Sequence, residues 1–178
     1  MKTFKIVGII VGVIVLILAI VITMQPSEAH LEKAIVINAP ASAIFPQVSN
    51  LKNFNEWAPW SKMDPGAKRT YEGTDGAVGS KMNWDGPETG TGSQLIEELE
   101  ENKHVRSALT FGNFDGTFHS EFVLTPEASG TRVTWTYDGP NNGLMGKAIW
   151  VFMGPMLGQQ YDEGLKDLKA RVESNTTR

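Results

Sequence analysis

The residues that could carry chemistry in this 178-residue sequence are few. There is no cysteine, which excludes a thiolate nucleophile, a thiolate metal site and a disulfide framework. The only histidines are His30, His104 and His119, and no two have the i,i+4 spacing by which one helix face holds a metal. The sequence has no Gly-x-Ser-x-Gly elbow and no Walker-type Gly-Lys-Ser/Thr run. Gly90-Thr91-Gly92 lacks both the third glycine and the βαβ setting of a dinucleotide site. Glu97, Glu98, Glu100 and Glu101 have charge enough for a divalent cation, but they stand beside Asn102-Lys103, where a turn is expected. A solvated hairpin end accounts for them, and no metal or cofactor is expected. Asp64, Arg106, Ser107 and Ser120 remain as the polar groups an enzyme would have to turn inward with a shifted pKa.

The aromatic residues say more. All five tryptophans and seven of the eight phenylalanines follow residue 29. Because Pro59 drives Ala58 away from helical geometry, Trp57 and Trp60 are expected on an extended turn that displays both rings. Trp57, Trp60, Trp84, Phe111, Phe118, Trp135 and Tyr137 are candidates to line a cavity for an apolar ligand. Ordinary core packing is the competing account, since each such ring buries roughly 150–250 Å². Leu144 to Leu157 is apolar and rich in methionine, and too short and too interrupted by Lys147 and Pro155 to span a bilayer. Trp150 and Met153 within it are candidates for a lid over the cavity mouth, where adaptable methionines suit a ligand of variable shape. Packing at the start of a final helix would also explain the run.

Elements must position these groups. Leu31 to Ile37 reads as a β-branched strand ended by Asn38-Ala39-Pro40. Two short helices, 41–48 and 51–56, should follow, divided near Ser49-Asn50. Six glycine-punctuated runs, 69–73, 79–84, 92–99, 103–111, 117–124 and 131–137, predict an antiparallel meander. In the later strands Val105, Leu109, Phe111, Phe118, Phe122, Leu124, Val133, Trp135 and Tyr137 alternate with polar residues, His104 and His119 among them, so one face is apolar and the other solvated. Keeping Phe111 and Phe118 on one side calls for a longer loop or a bulge across 112–116 rather than a two-residue turn. Tyr161, Leu165, Leu168 and Val172 follow helical spacing, with Asp162/Lys166 and Asp167/Arg171 as i,i+4 pairs. Pro155 should break or kink the chain between 151 and 156. Together these elements predict an α+β domain in which a curved antiparallel sheet of about seven strands wraps a long C-terminal helix.

The N-terminal run differs from everything after it. Ile6 to Met24 carries no charge, and fourteen of its nineteen residues are Ile, Val or Leu. Nineteen helical residues span about 28 Å, close to the roughly 30 Å of a bilayer core. A cleaved signal peptide is the alternative, with Ser27-Glu28-Ala29 as a loose cleavage site, but the run exceeds the usual signal core. A retained single-pass transmembrane helix is expected, so residues 1–29 form a cytoplasmic tip, span and linker, and residues 30–178 one domain. Lys2 and Lys5 precede the span, which by the positive-inside rule puts the N-terminus in the cytoplasm and the domain outside it, in a periplasm-like space. Gly8 and Gly12 form a small-xxx-small pair that could pair helices. Past residue 29 the balance is 14 basic to 19 acidic residues, which argues against nucleic acid as a partner. The same stretch is about 36% apolar, lean for its length. A partly hollow interior or a small ordinary core would each fit that figure. Asn175-Thr176-Thr177 spells a glycosylation sequon in the C-terminal tail.

The order of elements, with KAIVINAPASAIFPQVSNLKNFNEWAPW at 33–60, Asp64-Pro65, VGSKMNW at 78–84, GTRVTW at 130–135 and GLKDLK at 164–169, resembles the SRPBCC superfamily, also called START-like or Bet v 1-like, in its polyketide cyclase/dehydrase branch. The resemblance covers residues 30–173. It implies a helix-grip fold whose cavity, between sheet and long helix, generally takes apolar or amphipathic ligands. It implies little about reaction, because the superfamily includes carriers, cyclases and other classes. No cyclase catalytic set can be matched residue by residue. A membrane-anchored, non-catalytic binding domain for a hydrophobic, lipid-like small molecule is therefore the leading expectation. The alternatives are a cyclase or aromatase acting on an apolar substrate, and an interaction module with a vestigial cavity.

Overall fold

The computed structural model describes residues 2–112 and 114–176. Helix α1 (Lys2–Met24) leads by a three-residue link into strand β1 (Glu28–Ile37), which starts three residues earlier than its β-branched core suggests. The extension has partners: Glu28 stands opposite Pro140 and Ala29 opposite Gly139. Three short helices follow, α2 (Ala41–Ser49), α3 (Leu51–Trp57) and α4 (Pro59–Met63). Strands β2 (Lys68–Glu72), β3 (Lys81–Gly86), β4 (Gly90–Glu100), β5 (His104–Phe111), β6 (Phe114–Glu127) and β7 (Gly130–Pro140) then lead to α5 (Gly143–Thr176). The sequon at 175–177 ends outside the described residues.

All strands pair antiparallel in the order β1-β7-β6-β5-β4-β3-β2. The meander is local in sequence, and only β1 must travel, closing on β7 at the far edge. The sheet curves around α5, with bulges near Ile96/Glu98 and between Leu109 and Phe111, devices that bend and twist a strand. The second bulge is one of the two devices expected there, and it replaces the longer loop. Leu109 faces Phe118 but Phe111 faces Phe114, so the strands close over two residues and β6 absorbs the offset.

Local chemistry explains the helix breaks. The Asn50 side chain accepts hydrogen bonds from the backbone N–H groups of Lys52 (2.9 Å) and Asn53 (3.3 Å), capping α3 and ending α2. Ala58 has an extended ψ of 133°, and Pro59 then begins α4. The irregular stretch is that single residue rather than an extended turn. Neither tryptophan is displayed: Trp57 is 2% exposed and donates from Nε1 to the Gln47 carbonyl at 3.0 Å, and Trp60 packs against the core beside it.

Helix α5 runs for 34 residues through Pro155 without a break, where a break or a kink was expected. Proline removes one hydrogen bond and crowds the carbonyl four residues back, here that of Val151. Trp150, in the turn before it, stacks on Tyr137 of β7 and so ties the segment before the proline to the sheet. The ion pairs on α5 also differ from the i,i+4 expectation. Asp162 meets Lys33 of β1 at 2.7 Å and Asp167 meets Lys62 of α4, partners that tie the helix to other elements.

The core lies between the sheet, α2, α3 and the C-terminal half of α5. Ile37, Ile44, Val48, Leu51, Phe54, Ile96, Val105, Val133, Leu165 and Leu168 are each at most 2% exposed. Helix α1 meets α5 and otherwise leaves its apolar side chains uncovered along most of its length. It is long and apolar enough to cross a membrane, properties that an anchor and a signal sequence share.

Candidate functional site

The candidate aromatic residues fall into two groups. Trp57, Trp60 and Trp135 join Phe54, Phe122 and Tyr161 in a packed centre. Trp135 lies 3.8 Å from Tyr161, 4.8 Å from Phe122, 5.6 Å from Trp57 and 5.7 Å from Trp60, ring centre to ring centre. This group fills the grip between β7 and α5. Trp84, Phe111, Phe118, Tyr137 and Trp150 form a ribbon across the same inner face, with successive ring separations of 5.8, 5.4, 5.8 and 5.7 Å. Met153 is exposed, on the outward side of α5.

Register builds the ribbon. Trp84 pairs with Gly92 and Gly92 with Phe111, so both rings share one face across a residue without a side chain. A Cβ on Gly92 would lie 2.2 Å from the Trp84 ring, and one on Gly139 would lie 2.1 Å from the Phe118 ring. Each glycine is thus the floor under an aromatic ring. Only Phe118 is fully covered; the others are half-buried. Burial holds the Tyr137 hydroxyl up to a pKa of about 12, since a phenolate there would be poorly hydrated.

The ribbon ends at a cleft of about 440 Å³ near the end of α1, lined among others by Gln25, Leu31, Lys33, Trp150, Gly154 and Asp162. Leu31, opposite Tyr137, and Lys33, opposite Trp135, continue the inner face onto the edge strand. The sequence reading missed both, because β1 was judged on its β-branched run alone. Asn141 ties this end together, its N–H and Nδ2 donating to the carbonyls of Ser27 (2.8 Å) and Pro26 (2.9 Å).

A polar layer separates ribbon from centre. Gln94 donates to Ser107 at 3.2 Å, and Trp135 Nε1 donates to Ser120 at 2.8 Å. Ser107 and Ser120 face each other across β5 and β6, and the Ser120 hydroxyl is close enough to the Tyr161 phenol to act on it. Burial drives the Tyr161 pKa far up, so this layer is uncharged. Ser107 and Ser120 do turn inward, and their hydrogen bonds run to other protein groups.

The other polar candidates have different work. Asp64 is 2% exposed, and its Oδ2 accepts from the N–H of Glu88 (3.0 Å) and from the N–H and hydroxyl of Thr89 (3.0 and 2.9 Å). Those bonds, led by the Thr89 N–H, hold its pKa below the usual carboxylate range. Asp64 therefore pins the β3–β4 turn to the loop after α4. On the outer face Arg106 faces Glu98 at 3.8 Å, His104 pairs with Glu121 at 2.7 Å and His119 with Glu97 at 3.5 Å. His30 pairs with Asp138 at 2.6 Å. Among the described residues there is no group of three or more acidic or histidine side chains placed to hold a metal.

The comparisons bear on this architecture. A protein of unknown function from Staphylococcus aureus superposes with a TM-score of 0.65 at 12% identity, over 85% of this chain and 97% of its own. A protein from Mesorhizobium loti gives 0.62 at 16%, over 83% and 98%. One from Chromobacterium violaceum gives 0.57 at 20%, over 84% and 99%. These likenesses show the fold. No curated protein matched the chain. The family model described as polyketide cyclase / dehydrase and lipid transport matches residues 28–173. That span takes in the whole sheet and nearly all of α5, and the chain belongs to this family, a branch of the SRPBCC superfamily.

Proposed function

We propose that this chain is a membrane-tethered, non-catalytic binding domain for an amphipathic, lipid-like molecule, with residues 1–29 as the tether and 30–178 as the binding domain. The observation that carries the reading is the aromatic ribbon, which leads from Trp84 to Trp150 and opens at the cleft beside the end of α1. An apolar chain would lie along the ribbon, and its polar end would meet Lys33, Asp162 and Gln25 at the rim. Trp150, on the first half of α5 and in the lining of the cleft, would cover the mouth, while Met153 faces outward. The family's description as a lipid transport fold supports the ligand class. The inward hydroxyls of Ser107 and Ser120 are engaged by Gln94 and Trp135, which favours binding over catalysis.

The test is mass spectrometry of the full chain purified in lipid nanodiscs, followed by transfer of a fluorescent phospholipid between vesicles. Retention of a stoichiometric lipid, with transfer faster than the protein-free rate, is expected. An empty protein that also moves no lipid would sink the reading in favour of an interaction module. Chemical conversion of the retained molecule would move it to the cyclase reading.

A further inference from the structure

The first half of α5 is apolar on two sides. Trp150, Gly154 and Leu157 face the sheet and lead into buried Tyr161. The opposite side presents Leu144 (67% exposed), Met145 (75%), Phe152 (69%), Met153 (39%) and Met156 (50%). At 100° per residue these five side chains spread over one half of the helix circumference. Lys147 is the only charge between Gly143 and Gln159. A helix without a polar side is normally covered on both.

Position says by what. The link between α1 and β1 is Gln25–Ser27, a reach of at most about 10 Å. Asn141, two residues before α5, is bonded to Pro26 and Ser27 of that link. Helices α1 and α5 are in contact, and Gln25 shares the cleft with Trp150 and Gly154. The β5–β6 tip, with Phe114 45% exposed, lies at the same end, since Gly116 abuts Pro140. The uncovered face of α5 is thus continuous with the end of an apolar helix of membrane-spanning length.

We propose that the outward face of α5 from Leu144 to Met156 lies in the headgroup layer of the bilayer that α1 spans, so that the mouth of the grip opens directly onto lipid. An apolar helix face at an interface settles about 5–10 Å into the boundary between headgroups and acyl chains, and the Lys147 ammonium reaches back to the phosphates along its own stem. The inference rests on the tether reading above.

The absence of native cysteine permits a direct test on the full chain. Single variants Val15→Cys, Met145→Cys, Phe152→Cys and Ser129→Cys, all at exposed positions, are labelled with an environment-sensitive fluorophore. They are reconstituted in vesicles of phosphatidylcholine and phosphatidylglycerol at three to one. Labels at 145 and 152 should be quenched severalfold more than that at 129 by lipid spin-labelled near the headgroup, and be shielded from aqueous iodide. The label at 15 should respond to lipid spin-labelled deep in the chain. If 15 responds but 145 and 152 are open to iodide, the docking is wrong and the tether stands. If those two are shielded from both quenchers, protein covers the face, a second copy being the first suspect, and the docking is again wrong. If 15 does not respond, the tether reading fails and the docking with it.

Discussion

The Trp135 and Tyr161 rings lie 3.8 Å apart and 17° from parallel, the shortest ring separation among the described residues. One comes from the last strand and the other from the last helix, so this contact joins sheet to helix at the centre of the grip. The space a ligand needs is accordingly displaced toward the α1 end. Replacing Tyr161 by Ala should cost about 3–5 kcal/mol, the usual range for emptying a large aromatic site. Tyr161→Phe, which keeps the ring and removes only the hydroxyl, should cost about 1 kcal/mol at most. Denaturant unfolding of the full chain in detergent measures both. An Ala variant within about 1 kcal/mol of the parent would show that the stack is not what closes the grip.

Alkaline pH should weaken the fold through Tyr137. Its folded-state pKa is raised by burial from 10.0 to about 12. The stability linked to its neutral form is complete below the unfolded value and drains away as pH rises from there through the folded one. Between those pH values the unfolded state releases a proton that the folded state keeps. Melting temperature should therefore fall over that window, and Tyr137→Phe should flatten the fall in part, the rest belonging to Tyr161, whose pKa burial also drives up. Phenolate absorbance followed in parallel should show two tyrosines, Tyr137 and Tyr161, titrating late in the parent and only Tyr161 in the variant. An unchanged slope in the variant would assign the alkaline loss elsewhere.

Acid should act on Asp64. Its pKa is lowered, first by the Thr89 N–H, then by the Thr89 hydroxyl and Glu88 N–H and by Arg69. A lowered carboxylate pKa stabilises above the unfolded value, and that contribution is lost as pH falls through the folded one. Asp64→Asn should thus be less stable than the parent at neutral pH, with the gap closing below pH 3.8. Thr89→Val, which removes the hydroxyl donor and keeps the N–H, should have a smaller effect at neutral pH. Thermal melts of the three proteins across the acid range check the order.

The alternation in the later strands made the sheet and its inner face legible, because a period of two needs only neighbours in sequence. Val105, Phe118, Phe122, Val133 and Trp135 all turn inward as that pattern requires. What alternation could not reveal was which inward rings meet. Trp84 reaches Phe111 only because Gly92 stands between them, and that pairing is set by the β3–β4 and β4–β5 registers, which no local window contains. Lys33 was hidden for a related reason. Its partner Asp162 lies 129 residues away, while Lys166 offered a plausible partner one helical turn along. Pro155 misled in the opposite direction, since a local rule allows a break there and the helix runs through it unbroken. The apolar run at 6–24 was plain, because its signal is length and composition alone.

Trp150 distinguishes a binding surface from a packing surface. It is half-buried and stacks on Tyr137 at 5.7 Å and 11°, a contact worth about 0.5–1.5 kcal/mol beyond its buried area. It also lines the cleft at the mouth of the grip. Truncation to Ala should weaken phospholipid binding about tenfold, equivalent to about 1.4 kcal/mol, while lowering stability only modestly. Met153→Ala should leave both phospholipid binding and stability close to the parent, since its side chain is exposed on the outward side of α5 and outside the cleft lining. Gly139→Ala is the contrasting variant. Its methyl would press into the Phe118 ring at 2.1 Å, so it should cost about 1–3 kcal/mol of stability as overpacking and disturb the ribbon only as a result. Lipid retained per protein in nanodiscs and the melting temperature, read on the same samples, separate the two behaviours. If Trp150→Ala lowers the melting temperature as far as Gly139→Ala does and leaves lipid retention intact, the first half of α5 is packing and the mouth lies elsewhere.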